Sequence, residues 1–151
     1  MFVHYAVFVR VPLGKVERRF DALNADLYEW AGVAYRDGES LHAQIGPHID
    51  GVAKEVRLEI GEREVQPRGL VYPIRWIATG ASALFPTMTA DLVLSKAGST
   101  GTRISFEGRY KPPMGPLGKV IDRIALRRIA EATVQDWVDR LAQALQSEPT
   151  S

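Results

Sequence analysis

The feature that most constrains the fold is a two-residue alternation of apolar and polar side chains through the middle of the chain. Between residues 70 and 78 every even position is apolar, whereas Arg75 and Thr79 occupy odd positions. Successive side chains of a strand point to opposite faces of a sheet, so this pattern predicts a strand with one buried and one wet face. The same alternation marks residues 52–60, 84–94 and 104–110. Short turns between such strands are typical of an antiparallel meander.

The first part of the chain predicts a strand followed by two short helices. Apolar or aromatic residues fill every odd position of a strand over Val3–Val11, and Pro12 ends it. Helical spacing follows, with Asn24 as the N-cap of the second helix and Gly32 at its end. Residues 35–50 lack a sustained period and predict a loop, with a short strand at residues 41–45. The apolar positions of the helix pair are Val16, Phe20, Leu23, Leu27 and Trp30.

A long helix is predicted over residues 119–146, and it carries two apolar stripes on opposite sides. The stripe of its second half comprises Leu126, Ile129, Ala130, Thr133, Trp137 and Leu141. A reversed stripe precedes it and comprises Leu117, Val120, Ile121 and Ile124. A kink, a covering loop or a subunit contact would each satisfy this geometry. A homodimer through the reversed stripe and a lid over the mouth of the pocket are therefore both open alternatives.

Length and composition exclude several classes of protein. The 151 residues fit one domain, expected over residues 1–146 with a frayed polar tail at 147–151. A formal net charge of +1 provides no basic field for nucleic acid. The absence of cysteine removes disulfides and thiolate metal sites, and favours a reducing, cytoplasmic location. No apolar stretch approaches the roughly 18 residues of a spanning helix, so we expect no stable membrane insertion.

The order of these elements predicts an α+β fold of the helix-grip type. A long amphipathic helix cannot bury its apolar stripe alone, and a curved antiparallel sheet with an apolar inner face offers the surface that it needs. The predicted plan is strand 1, two short helices, a meander of five or six strands, and the long C-terminal helix packed across the sheet.

Particular segments resemble a known superfamily. The clearest are PIRWIATG at residues 73–80 and GRYKPPMG at residues 108–115. Further matching positions are Leu84-Phe85-Pro86, Asp91-Leu92, Asp122, Arg128 and Ala132-Thr133. Together they resemble a bacterial branch of the SRPBCC superfamily, which gathers START-like lipid-transfer domains, plant pathogenesis-related pollen-allergen proteins, and polyketide cyclases and aromatases. The resemblance spans nearly the whole chain and implies a helix-grip fold around a cavity, without implying a particular reaction.

The inner face of the sheet predicts an apolar ligand cavity against the last helix. Tyrosine hydroxyls and an indole N–H would orient a largely hydrophobic ligand there. A filled core, with the aromatic side chains interlocked, is the alternative. An unpaired buried hydroxyl costs roughly 1 to 3 kcal/mol, so inward tyrosines require water, mutual hydrogen bonds or a ligand. The predicted lining is Tyr5, Val7, Val9, Val56, Leu58, Tyr72, Ile74, Trp76, Met88, Leu92, Phe106, Tyr110, Leu126, Ile129, Thr133 and Trp137.

The charged residues of the strands are expected on the opposite face, where they form a solvated surface. A bulge at Pro73 or Pro86 would shift the phase by one residue and turn Arg75 or Asp91 into the cavity as the first catalytic candidates. Without such a bulge no catalytic residue is assigned. The outward set is Arg57, Glu59, Arg75, Asp91, Glu107 and Arg109.

No motif predicts a metal or a cofactor. His42 and His48 with Asp50 match no rigid spacing of metal ligands, and their segment has loop character. No serine lies in a G-x-S-x-G setting, and no glycine loop precedes the lysine-serine pair of a phosphate site.

The sequence therefore favours a non-catalytic domain that binds or carries a small hydrophobic molecule, of lipid, polyketide or isoprenoid type. A polyketide cyclase or dehydratase that uses the same cavity is the alternative, and it ranks second because no base occupies the inward phase. A partner-binding module with a filled core is a further alternative.

Overall fold

The structure is a computed structural model, and it describes residues 2–23, 26–31, 55–79, 88–110 and 123–147. Strand β1 (Phe2–Val9) is followed by helix α1 (Leu13–Ala22) and by a second short helix, α2, over residues 26–31. The next strands are β2 (Glu55–Ile60), β3 (Glu64–Gln66), β4 (Gly69–Thr79), β5 (Met88–Ala97) and β6 (Gly101–Tyr110). Helix α3 (Arg123–Gln146) is last. The predicted α+β plan is confirmed.

Six strands form one antiparallel sheet in the order β1-β6-β5-β4-β2, and β3 pairs with β4 beside β2. The register continues without a break along each pair, so that Tyr72 lies opposite Leu92 and Leu92 opposite Phe106. Tyr5 of β1 lies opposite Phe106 in turn. These residues share one face, here called the inner face, which packs against α3. The phase predicted from the alternation is therefore correct.

Strand β4 accommodates Pro73 without a bulge. Pro73 lies opposite Asp91 in the unbroken β4–β5 pairing, and its carbonyl accepts the N–H of Gly61 at 2.7 Å. Gly61 follows the end of β2 and precedes β3, so the missing proline N–H falls where β4 changes partners. Arg75 and Asp91 consequently stay on the outer face. Pro86 lies outside the described residues.

Helix α3 covers the inner face with a stripe of fully buried side chains at helical spacing. Trp137 and Leu141 confirm the predicted stripe, and Thr133 beside them is also buried. The reversed stripe, and with it the predicted homodimer contact, lies outside the described side chains. The fully buried members are Val134, Trp137, Val138, Leu141 and Leu145.

Helix α1 closes one end of the interior. The carbonyl of Pro12 accepts the N–H groups of Lys15 and Val16, which starts the first turn. Val16 and Phe20 are buried on the inward side of α1. The Arg19 guanidinium donates to the carbonyl of Leu145 at 2.6 Å and ties α1 to the last turn of α3.

The boundaries differ from the predictions in several places, and β5 continues to Ala97 and β6 begins at Gly101, beyond the predicted bounds at residues 94 and 104. Strand β1 ends at Val9 rather than at Val11. Strand β3 was not predicted, and α3 is described from Arg123 onward. The predicted cap at Asn24, the end at Gly32 and the loop over residues 35–50 lie outside the described residues. Among the helices that the structure describes, none has the length and hydropathy needed to span a bilayer.

Candidate functional site

The predicted cavity residues come together on the inner face wherever the structure describes them. Tyr5 and Val7 are half-buried, and the side chains of Val56, Leu126 and Ile129 lie outside the described part. The remaining predicted lining residues are all buried: Val9, Leu58, Tyr72, Ile74, Trp76, Met88, Leu92, Phe106, Tyr110, Thr133 and Trp137.

Trp137 occupies the middle of the interior. Its ring meets Trp76 and Phe106 edge-on, with centroids 5.9 and 6.0 Å apart. The indole N–H donates to the carbonyl of Leu27 in α2 at 3.1 Å. The Trp137 indole is thus committed to the fold, and it fills the middle of the interior together with Trp76 and Phe106.

Toward the ends of the strands the inner face carries a strand-end row, defined as Trp76, Met88 and Tyr110. Met88 lies opposite Trp76 on one side and opposite Tyr110 on the other. Burial raises the pKa of the Tyr110 phenol, while Arg127 lowers this pKa and Glu131 raises it. Arg127 donates to Glu131 at 3.0 Å within α3. An apolar row therefore ends beside a charged pair.

The three inward tyrosines have different surroundings. The Tyr5 hydroxyl donates to Asp139 Oδ1 at 2.6 Å, and this hydrogen bond, with burial, raises the pKa of Tyr5 to about 12. Tyr110 lies beside Arg127 and Glu131. Within the described residues, the hydroxyl of Tyr72 has no hydrogen-bond partner, although its side chain is only 4% exposed.

The Tyr72 ring packs against Phe20 of α1, with centroids 4.4 Å apart. Burial raises the pKa of the Tyr72 phenol and nearby Asp21 raises it further, whereas Arg63 lowers it. The Arg63 guanidinium is near enough to the phenol to act on its pKa, and it forms an ion pair with Glu17. A pocket of about 270 Å³, here called the α1 pocket, adjoins these groups.

The outer face carries the strand charges, as predicted. Arg68, in the β3–β4 turn, donates to Asp91 at 2.7 Å and to Glu107 at 2.6 Å. The Glu59 carboxylate forms an ion pair with Arg57 at 3.1 Å and a longer one with Arg75 at 3.9 Å. A broad groove of about 1060 Å³ crosses this face. Because its charged walls are largely ion-paired and open to solvent, it is not a chamber for a hydrophobic molecule.

Candidate catalytic and metal groups are sparse in the described residues. No inward strand position that the structure describes carries a histidine or a carboxylate, so the cyclase alternative gains no general base there. His4 lies on the outer face, 3.3 Å from the hydroxyl of Ser105. The described part of the chain contains no cluster of metal-ligating side chains. His42, His48 and Asp50 lie outside it.

Asp21 and Arg63 beside Tyr72, and Asp139 beside Tyr5, were not among the predicted site residues. Asp21 follows the buried Phe20 directly, and Arg63 lies in the connection before the unpredicted β3. Periodicity assigns residues to faces but not to partners more than a hundred positions away, as for Tyr5 and Asp139. The one available signal was the expectation that each inward hydroxyl needs a partner.

The fold and its apolar inner face define a helix-grip protein. TTHA0849 from Thermus thermophilus shares 15% identity at a TM-score of 0.50, covering 96% of this chain and 97% of that chain. The hypothetical protein jhp0584 from Helicobacter pylori shares 15% sequence identity at a TM-score of 0.53, and the match covers 95% of this chain and 86% of that chain. A conserved protein from Geobacillus kaustophilus shares 10% sequence identity at a TM-score of 0.51, and the match covers 96% of this chain and 95% of that chain.

These similarities show the fold, which is the α+β arrangement of a helix-grip protein. No protein-family model matches the sequence, and no curated protein matches it.

Proposed function

We propose that the protein binds a small hydrophobic molecule, of lipid, polyketide or isoprenoid type, between the sheet and α3 at the strand-end row. The observation that carries this proposal is the chemistry of that row. Trp76, Met88 and Tyr110 present two aromatic rings and a thioether, and the phenol lies beside the Arg127–Glu131 pair.

This arrangement suits a molecule with an apolar body and one polar end. The apolar body would contact Trp76 and Met88, whose thioether adapts to varied shapes. The polar end would lie near the phenol and Arg127. Affinity would come mainly from buried apolar area, at about 25 cal/mol per Å² before ordering costs are subtracted.

The filled middle of the interior limits where the molecule can lie. Trp137 holds Trp76 and Phe106 in edge contact, so a ligand would not pass between these rings without displacing the indole from Leu27. We therefore expect a compact ligand or a single chain end at the strand-end row.

Native mass spectrometry, followed by denaturing extraction, tests this proposal. We expect a stoichiometric apolar adduct, or uptake of one class from a panel of palmitic acid, farnesol and a hydroxyanthraquinone. Met88→Trp would fill the row and should reduce uptake about tenfold or more, because even about 1.4 kcal/mol of lost contact weakens binding tenfold.

Thr89→Trp is the matched control, since Thr89 is the next residue of β5 and faces outward. It should bind as the wild type does. Uptake that survives Met88→Trp in a folded variant would contradict the site. A protein without adduct and without uptake of any panel member would contradict the function and favour the partner-binding module.

A further inference from the structure

The Tyr72 hydroxyl is an exception among the described residues. It is a buried side-chain oxygen without a hydrogen-bond partner, and no other buried side-chain polar atom in the described part shares this condition. Native proteins pair the large majority of such atoms, so an isolated one calls for a partner from outside the chain.

A space for such a partner lies next to it. The α1 pocket has a volume of about 270 Å³, which at about 30 Å³ per liquid water molecule would hold several waters or one small organic molecule. Tyr72 lines this pocket together with Asp21 and Arg63, and both charged groups act electrostatically on the phenol. The other lining residues are Phe20, Ile60 and Gly61.

The polar groups of the α1 pocket are complementary in kind. The buried phenol stays protonated near neutral pH and therefore donates its proton. Arg63 shares its charge with Glu17, but a guanidinium has five N–H donors and can serve a second acceptor. In the described part of the chain, Asp21 has no hydrogen bond or ion pair, so its carboxylate can accept.

We propose that the α1 pocket binds a small zwitterion of the amino-acid type. One carboxylate oxygen of the ligand receives the Tyr72 O–H and an Arg63 N–H, and its ammonium group donates to Asp21. Phe20 and Ile60 provide an apolar wall for a short side chain. The site lies against α1 and Tyr72, away from the strand-end row, so it does not depend on the proposed hydrophobic ligand.

The test is a titration of the full-length, isotope-labelled protein with L-alanine, followed by amide chemical shifts in two-dimensional NMR. We expect saturable shifts at the amides of Asp21 and Gly61. Acetate and methylamine each carry half of the zwitterion. Each should bind at least about tenfold more weakly than L-alanine, since each loses one set of hydrogen bonds.

Tyr72→Phe removes only the hydroxyl and should weaken L-alanine binding about tenfold, as should Asp21→Asn. Tyr5→Phe is the matched control, because the Tyr5 hydroxyl is satisfied by Asp139, and it should leave the affinity unchanged. Acetate binding as tightly as L-alanine would overturn the proposal. So would unchanged affinity in Tyr72→Phe, or a wild type without saturable shifts at millimolar L-alanine, in which case water alone pairs the hydroxyl.

Discussion

The two faces of the sheet are made from alternate residues of the same strands, yet they are stabilised differently. On the inner face Leu92 and Phe106 are completely buried. One position away, Asp91 and Glu107 keep about two fifths of their side-chain surface exposed and share Arg68. Burial of an apolar side chain adds about 1.5–3 kcal/mol to the free energy of unfolding, whereas an exposed ion pair adds only a few tenths of a kcal/mol. For stability, the face to which a side chain points therefore matters more than its position along the strand.

Truncation of Trp137 should show the largest effect on the inner side of this comparison. Trp137→Ala removes two ring contacts and the hydrogen bond to the Leu27 carbonyl, so we expect a loss of about 3–5 kcal/mol in the free energy of unfolding. Urea denaturation measures this loss. Gln135→Ala, on the exposed side of the same helix, should change little. A loss below about 1 kcal/mol would mean that the middle of the interior is not closely packed.

A pair of glycine substitutions tests how tightly the inner face is filled. A Cβ at Gly108 would meet Phe106 Cε1 at 2.8 Å and Met88 Sδ at 3.1 Å, so Gly108→Ala should destabilise the protein by about 1–3 kcal/mol. At Gly14 in α1 the same Cβ meets nothing within 4 Å. Gly14→Ala should therefore stabilise the protein by about 0.5–1 kcal/mol. Thermal unfolding of both variants checks the contrast, and equal effects would refute it.

The solvent-exposed margin of the inner face can be probed with pH through the hydrogen bond between Tyr5 and Asp139. Its pKa of about 12 in the folded protein exceeds the ordinary 10.0, so the hydrogen bond to Asp139 contributes fully below pH 10 and is lost as pH rises through about 12. Tyr5→Phe should cost about 0.5–1 kcal/mol at neutral pH, a modest value because the pair is exposed to solvent.

Urea midpoints of wild type and Tyr5→Phe at about pH 8 and about pH 11 measure this difference. The gap between the two proteins should narrow at the higher pH. A gap that is constant with pH would indicate that the hydroxyl acts through packing and not through its proton.

The smallest effect is expected on the outer face. Arg68→Gln should cost about 0.2–0.5 kcal/mol at low salt, because two exposed carboxylates lose one shared cation. Molar salt should remove most of the difference, since screening acts over about 3 Å at about 1 M. A salt-independent loss would show instead that the Arg68 stem stabilises the face by covering apolar surface.

The assignment of residues to the two faces could be predicted from the sequence. The register is unbroken, so that alternate residues point to the same face along the whole of each strand. Pro73 was the weak point of that inference. The change from β2 to β3 as the partner of β4 resolves it, and this change leaves no local pattern in the sequence. Strand β3 was missed for the same reason, since three residues with one partner carry too little periodicity.

The partners of the inward polar groups could not be predicted. The indole of Trp137 bonds a backbone carbonyl in α2, and the hydroxyl of Tyr5 bonds a carboxylate in α3. Such pairs depend on how helices are placed over the sheet, which periodicity does not specify. The α1 pocket follows from the same placement, because α1 and the connection before β3 supply two of its polar groups.

The break between β2 and β3 has a consequence for association between molecules. A continuous edge strand exposes a row of backbone groups that a strand from another molecule can extend. In the part of the chain that the structure describes, this edge stops after Ile60, opposite the neighbourhood of Pro73, and resumes for only the three residues Glu64–Gln66. An intermolecular strand would lose its register within a few residues, and charged side chains such as Glu64 would oppose it. The discontinuity that admits a proline into a central strand thus also protects the sheet from polymerising along this edge.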